Sequence, residues 1–164
     1  FQLTCWLDRY RLARPLHPDE LAALVAPFLA KLGYDVPAEK LVGLMPMYVE
    51  RAADLNALAE ALTIYFKPAA EIEIEEKAMK ALNEDGKHQL SVLHDMIAEM
   101  PEFSSEALDV LLHDYVAKGG LKFKQVGPPL RSALTGLAGG PSVHDVMAAL
   151  GREESLKRIA RAAQ

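Results

Sequence analysis

Apolar residues along this chain recur mostly at three- and four-residue intervals, the spacing of amphipathic helices. Leu21, Leu24, Val25, Phe28, Leu29 and Leu32 form the first such stripe. Pro18-Asp19-Glu20 opens it, with proline in the first turn and acids at the positive end of the helix dipole, and Gly33 closes it. A restart at Val36 to Ala38 leads to Leu41, Leu44, Met45 and Tyr48, where Pro46 predicts a kink or an early end. Asp54 is the expected N-cap of a helix over Leu55 to Phe66 with Leu55, Leu58, Leu62, Tyr65 and Phe66 inward. Ahead of all this, Thr4 to Tyr10 reads as a short helix or turn with Trp6, Leu7 and Tyr10 on one side.

Pro68-Ala69-Ala70 is a composition break and marks an expected boundary between two packed helical subdomains, residues 1–67 and 68–164. Glu71 to Glu75 alternates at period two, but no second strand-like run exists to pair with it, so it is expected to be an extended connector. Lys77 to Leu82 is a brief helix, with Asn83-Glu84-Asp85-Gly86 as its stop. Lys87 to Met100 aligns Leu90, Leu93, Ile97 and Met100, and Pro101 ends it. Ser104 or Ser105 caps a helix whose Leu108, Leu111, Leu112, Tyr115 and Val116 make a wide apolar stripe up to Gly119-Gly120. The fold class expected is all-α.

The last segment is the least ordinary. Phe123, Val126, Leu130 and Leu134 keep helical spacing, yet Gly127, Pro128 and Pro129 stand in their midst; an interior proline costs on the order of 3 kcal/mol, so a fixed bend projecting Arg131 is expected. Thr135-Gly136 is a stop, and Gly139-Gly140-Pro141-Ser142 is a corner. Ser142 opens the next helix as a capping box with Asp145, Gly151 ends it, and Arg152 to Ala163 is a final basic helix.

Composition narrows the function. Hydrophobic residues make up 51% of 164, enough for ordinary burial. No run reaches the roughly 18–20 apolar residues of a membrane span. The start, FQLTCWLDRYRLARP, has neither the layout of a signal peptide nor an initiator Met, which suggests a stretch of a longer protein. The single cysteine, Cys5, cannot form an internal disulfide and favours a reducing, cytoplasmic setting. Net charge is −5, unevenly spread: residues 1–120 carry 11 Lys/Arg against 20 Asp/Glu, residues 121–164 carry 7 against 3. A basic tail on an acidic body can meet phosphates locally.

Catalytic and metal chemistry is not expected. His88 and His94 are six apart, which is not the i, i+4 spacing of a helical metal pair, and His113 stands alone. The acid pairs Asp19-Glu20 and Glu75-Glu76 occupy capping or solvated positions, no glycine-rich phosphate loop is present, and the six methionines read as packing, not as a partner groove. From the residues alone, an RNA-binding module and a helical protein-interaction module both remain open, the second on the strength of the acidic body and wide apolar stripes.

Pro129-Leu130-Arg131, Ala133-Leu134-Thr135-Gly136, Gly140-Pro141-Ser142-Val143 and Leu150-Gly151-Arg152-Glu153-Glu154-Ser155-Leu156-Lys157-Arg158 together resemble the C-terminal signature of bacterial glutamyl-tRNA synthetases. Trp6-Leu7 with Tyr10, Pro18 to Leu21, and Val49-Glu50-Arg51 with Leu55 are similar to the start of the same anticodon-binding region. The resemblance implies an all-helical anticodon-binding region, without the catalytic domain, of a glutamate–tRNA ligase. The parent would be a cytoplasmic monomer that uses ATP and Mg2+, while this stretch holds no cofactor. It further implies anticodon contacts at Arg131, Thr135, Gly140, Pro141 and Val143, third-base reading by Arg51, and phosphate contacts at Lys122, Lys124 and Arg152. The partner implied is the glutamate acceptor tRNA. The sequence departs from the family pattern at Gly127-Pro128, where one hydrogen-bonding residue is more common, and at His144, where an aromatic is common.

Overall fold

A computed structural model describes residues 17–164, and every regular element among them is helical. The turn expected over Thr4 to Tyr10, with Cys5 and Trp6, lies outside the described residues. The chain divides into two compact units, with the boundary between Lys67 and Pro68.

In the first unit, α1 (Pro18–Lys31) buries Leu21, Ala22, Val25 and Leu29, while Leu24 and Leu32 are exposed rather than inward. Its start is held by the Glu20 carboxylate, which accepts from the His17 backbone N–H at 2.9 Å. The stretch expected as one kinked helix is three short pieces: α2 (Ala38–Leu41), a 3-10 turn (Val42–Leu44) and α3 (Met45–Tyr48). Pro46 sits in the first turn of α3, where a missing N–H costs nothing. The Asp54 carboxylate accepts from Ala57 N at 2.9 Å and starts α4 (Leu55–Leu62), as its position predicts. Leu41, Met45, Tyr48, Leu55, Leu58 and Leu62 close this core with α1. The Tyr48 and Tyr65 hydroxyls meet at 2.8 Å across edge-on rings.

The second unit begins with a 3-10 turn (Ala69–Glu71), then extended chain as far as α5 (Glu76–Met79); Glu71 to Glu75 is a connector and not a strand. Asn83-Glu84-Asp85-Gly86 proves to be a helix start rather than a stop. The Asn83 side chain accepts from Gly86 N at 2.8 Å and caps α6 (Glu84–Glu99). A Cβ on Gly86 would lie 2.1 Å from the Ala81 carbonyl oxygen and 3.2 Å from the Pro129 ring, so this glycine lets the first turn of α6 pack against the chain that precedes it. Ser104 caps α7 (Ser105–Lys118), accepting from Ala107 N at 3.2 Å.

The expected break at Pro128-Pro129 does not occur: α8 (Phe123–Thr135) runs straight through both prolines. Two local features lower the cost of keeping the helix. Gly127 has no Cβ to clash with the ring that follows it. Lys124 and Gln125, whose carbonyls lose their i+4 donors, are exposed residues in the first turn. The Pro128 carbonyl accepts from the Ser132 hydroxyl at 2.9 Å. The Phe123 ring covers Gly127 so closely that a Cβ there would be 2.7 Å from it. Two more helices follow, α9 (Val143–Leu150) and α10 (Arg152–Ala163), with Gly151 at a φ of 84° between them. The core of this unit is built from Leu90, Leu93 and Ile97 of α6, Leu108 and Leu112 of α7, Val126, Leu130 and Leu134 of α8, Val143, Val146 and Met147 of α9 and Ile159 of α10.

Candidate RNA interface

Helix α8 delivers Arg131 at its third turn and ends in a left-handed Gly136, φ 71°, whose N–H bonds to Ser132 O at 3.0 Å. Thr135 is buried, its hydroxyl donating to Arg131 O at 2.9 Å and accepting from Leu137 N at 3.1 Å. The hydroxyl thereby ties the last turn of the helix to the chain leaving it. Ala138, Gly139 and Gly140 are exposed, whereas Pro141 and Val143 are buried again. The Arg131 guanidinium reaches across this corner and donates from Nη2 to Pro141 O at 3.3 Å. Arg131 Nε is buried with no hydrogen-bond partner among the described residues. Arg131, Thr135, Gly140, Pro141 and Val143 thus form one locality.

The corner is anchored from beneath by groups that the sequence patterns do not single out. Glu75 N donates to Gly136 O at 2.7 Å, and the Glu75 carboxylate accepts from Ala138 N at 3.4 Å. Arg158 is 1% exposed, donating to Leu134 O at 2.7 Å and to the Glu154 carboxylate at 2.9 Å. Ser132 donates to Ala78 O at 2.9 Å in addition to its Pro128 contact. The Glu154–Arg158 pair stands at i, i+4, a spacing visible in the sequence but easily taken for an exposed pair.

The remaining cations are distributed differently from the expectation of a basic last helix. Arg152 donates to Met100 O at 2.8 Å and lies 5.5 Å from the Phe103 ring centre, so it holds the end of α6. Lys157 pairs with Glu153 at 2.8 Å; this hydrogen bond, then the lysine's charge, lowers the Glu153 pKa, and the reverse raises that of Lys157. Arg161 binds the Ala69 and Ile72 carbonyls. With Arg158 buried, α10 spends much of its positive charge on the fold. Lys122 and Lys124, at the start of α8, are exposed.

The capping box expected between Ser142 and Asp145 is not formed, because Asp145 instead accepts from the Ser105 hydroxyl at 2.5 Å and so joins α9 to α7. His144 is half-buried with Nδ1 3.4 Å from the Asp109 carboxylate, which His113 also approaches at 3.1 Å. Among the described residues, no group of three or more His, Cys, Asp or Glu is placed to hold a metal. Arg51 belongs to the first unit, exposed just after α3. Burial raises the Tyr48 pKa, opposed first by the Tyr65 hydrogen bond and then by the Arg51 charge.

The helical fold with this arginine-pinned corner places the chain in a class: it matches the anticodon binding domain family over residues 20–163 and belongs to that family. Among curated relatives, the glutamate–tRNA ligase of Nitratidesulfovibrio vulgaris is 43% identical over 158 residues, which is 96% of this chain and 34% of that protein. The glutamate–tRNA ligase of Lawsonia intracellularis is 31% identical over 156 residues, 94% of this chain and 33% of that protein. This chain therefore spans about a third of the length of these relatives. A crystal structure of a glutamate tRNA ligase from Elizabethkingia meningosepticum in complex with its amino acid matches 90% of this chain and 29% of its own, with a TM-score of 0.79 at 25% identity. No helix among the described residues is long and apolar enough to cross a membrane.

Proposed function

We propose that this chain recognises the anticodon of glutamate acceptor tRNA as part of a cytoplasmic, monomeric glutamate–tRNA ligase. On this reading the parent's ATP- and Mg2+-dependent activation of glutamate is carried by residues outside this stretch. One observation supports the reading above the others: Arg131 and the 139–143 corner, two elements separated in sequence, meet at the Arg131–Pro141 bond.

Anticodon bases are unstacked and can be read on their edges, and a planar guanidinium suits this because it stacks and donates in a fork. The bond at Nη2 ties the Arg131 guanidinium to the corner, and with Nε buried the remaining Nη hydrogens are the donors left for RNA. Gly140, exposed and without a side chain, lets RNA approach the backbone, while buried Thr135 and Val143 hold the corner rigid from below. Arg51 serves the third anticodon base, since on the unpaired Watson–Crick edge a cation meets cytosine's N3 and O2 acceptors where guanine presents its N1–H and N2–H2 donors. Lys122 and Lys124 neutralise phosphates, and Arg152 contributes field from its anchored position.

The test is binding of an anticodon stem-loop RNA with the glutamate anticodon, compared with the same hairpin carrying changed anticodon bases. The reading predicts a loss of about 1–3 kcal/mol per changed base; equal affinity for both hairpins contradicts it. Lys122→Ala and Lys124→Ala are each expected to reduce the log–log salt slope by about 0.7, the value for a single-stranded phosphate contact. Base preference should stay unchanged in both variants. A slope identical to that of the unaltered protein removes that lysine from the interface.

A further inference from the structure

The apolar stripe of α7 is wider than its buried face. Only Leu108 and Leu112 are fully buried; Leu111 and Tyr115 are half-buried and Val110 is 61% exposed. Opposite them Met96, from α6, is 36% exposed, and Met100 lies beneath it. These side chains line a groove of about 590 Å³, open to solvent, which runs along the end of α6, the Pro101 turn and α7. Its dimensions fall within the range of binding pockets rather than packing defects. Two methionines in its wall make it adaptable, since an unbranched thioether can repack around different apolar surfaces.

The rim has a definite sign. Glu102, Glu106 and Asp114 stand on it against Lys118, and Lys118 is itself paired with Asp114 at 3.6 Å. This acidic border repels phosphates, which sets the groove apart from the RNA-facing corner and disfavours an anionic lipid surface. The groove follows a helix for about three turns, the reach of an amphipathic helix that places side chains at i, i+4 and i+7.

We propose that this groove docks a basic amphipathic helix of another protein. Its leucine-type side chains occupy the space over Val110 and the two methionines, and its lysines or arginines meet Glu102 and Glu106. The site is separate from the anticodon corner, so the chain can hold RNA and this partner by different chemistries.

The test uses the intact chain and two fluorescent synthetic peptides with leucines at i, i+4, i+7 and i+11, one with lysines and the other with glutamates at the remaining positions. Fluorescence anisotropy is expected to show binding of the lysine peptide and at least about tenfold weaker binding of the glutamate peptide, a difference of 1.4 kcal/mol or more. Val110→Glu is the decisive variant. It alters an exposed helix position and adds a negative charge, so unspecific charge attraction predicts tighter binding. Docking in the groove instead predicts a loss of about tenfold or more, with binding of the anticodon hairpin unchanged. Paired Glu102→Lys and Glu106→Lys should shift preference toward the glutamate peptide. Unchanged or tighter lysine-peptide binding by Val110→Glu overturns the proposal, as does equal affinity for both peptides. Failure to bind either peptide, together with self-association in sedimentation velocity that Val110→Glu abolishes, overturns it in favour of a second copy of this chain.

Discussion

Gly136→Ala is expected to destabilise the second unit by about 3–5 kcal/mol, adding left-handed backbone strain for a non-glycine residue to the cost of overpacking. At a φ of 71°, an alanine Cβ would lie 2.0 Å from the carbonyl oxygen of Glu73 and 3.2 Å from the Ile72 side chain. Neither can retreat easily. Ile72 is buried, and its carbonyl is held by Arg161, while Glu75 N is bonded to the Gly136 carbonyl. The effect is read as a lowered urea midpoint and a fall in melting temperature of roughly 10–20 °C. A loss below about 1 kcal/mol would mean that the connector yields, and that it does not brace the corner.

Arg158→Ala has the second large effect. Its guanidinium is removed from water and satisfied by the Leu134 carbonyl and the Glu154 carboxylate. Removing it leaves both acceptors without this donor and opens a cavity between α8 and α10. A cost of about 3–5 kcal/mol is expected for breaking a buried charge pair. Glu154→Gln should cost a comparable amount, about 3 kcal/mol, because glutamine can still accept from Arg158 but leaves the buried guanidinium without its counter-charge. Large losses in both variants, measured by urea denaturation, distinguish a buried anchor from a surface ion pair. Similar small losses for the two would place the pair in the surface class.

These two residues show where the sequence is legible and where it is not. Local rules read well: Asp54 caps α4, Ser104 caps α7, and the Glu71 to Glu75 alternation without a strand partner is a connector. The failures arise where a local rule meets a tertiary neighbour. Pro128-Pro129 looks like a breaker because each proline removes a donor, but Gly127 and the exposed first-turn carbonyls let α8 continue. Asn83 to Gly86 looks like a stop because of its composition, yet Asn83 faces forward as a cap and Gly86 makes room for the Ala81 carbonyl. Ser142 and Asp145 have capping-box spacing, but Ser105, forty positions away, claims the carboxylate.

The candidate site follows the same division. Pro129-Leu130-Arg131 and the Gly140-Pro141 corner are conspicuous as motifs, but their meeting at Pro141 O can be seen only in the folded chain. The supporting roles of Glu75 and Arg158 depend on contacts 63 and 24 positions apart, which no periodicity encodes. Charge counting is the weakest guide here. It marks the tail as basic, whereas Arg152, Arg158 and Arg161 are largely occupied in bracing helix ends and the connector. Exposed positive charge in this unit lies instead with Lys122 and Lys124, at the opposite end of α8 from the corner.

The role given to Arg131 is tested most directly by titrating Arg131→Ala and Arg131→Lys with the anticodon hairpin at low salt, alongside a denaturation curve of each. The alanine variant is predicted to bind about tenfold or more weakly and to lose its preference among anticodon bases. Lysine should restore attraction for the RNA but not the preference, because it keeps the charge without the planar fork. Both variants should retain their fold, losing only about 1 kcal/mol for the bond to Pro141. Unchanged affinity and unchanged base preference in Arg131→Ala would contradict the assignment of this corner to anticodon reading.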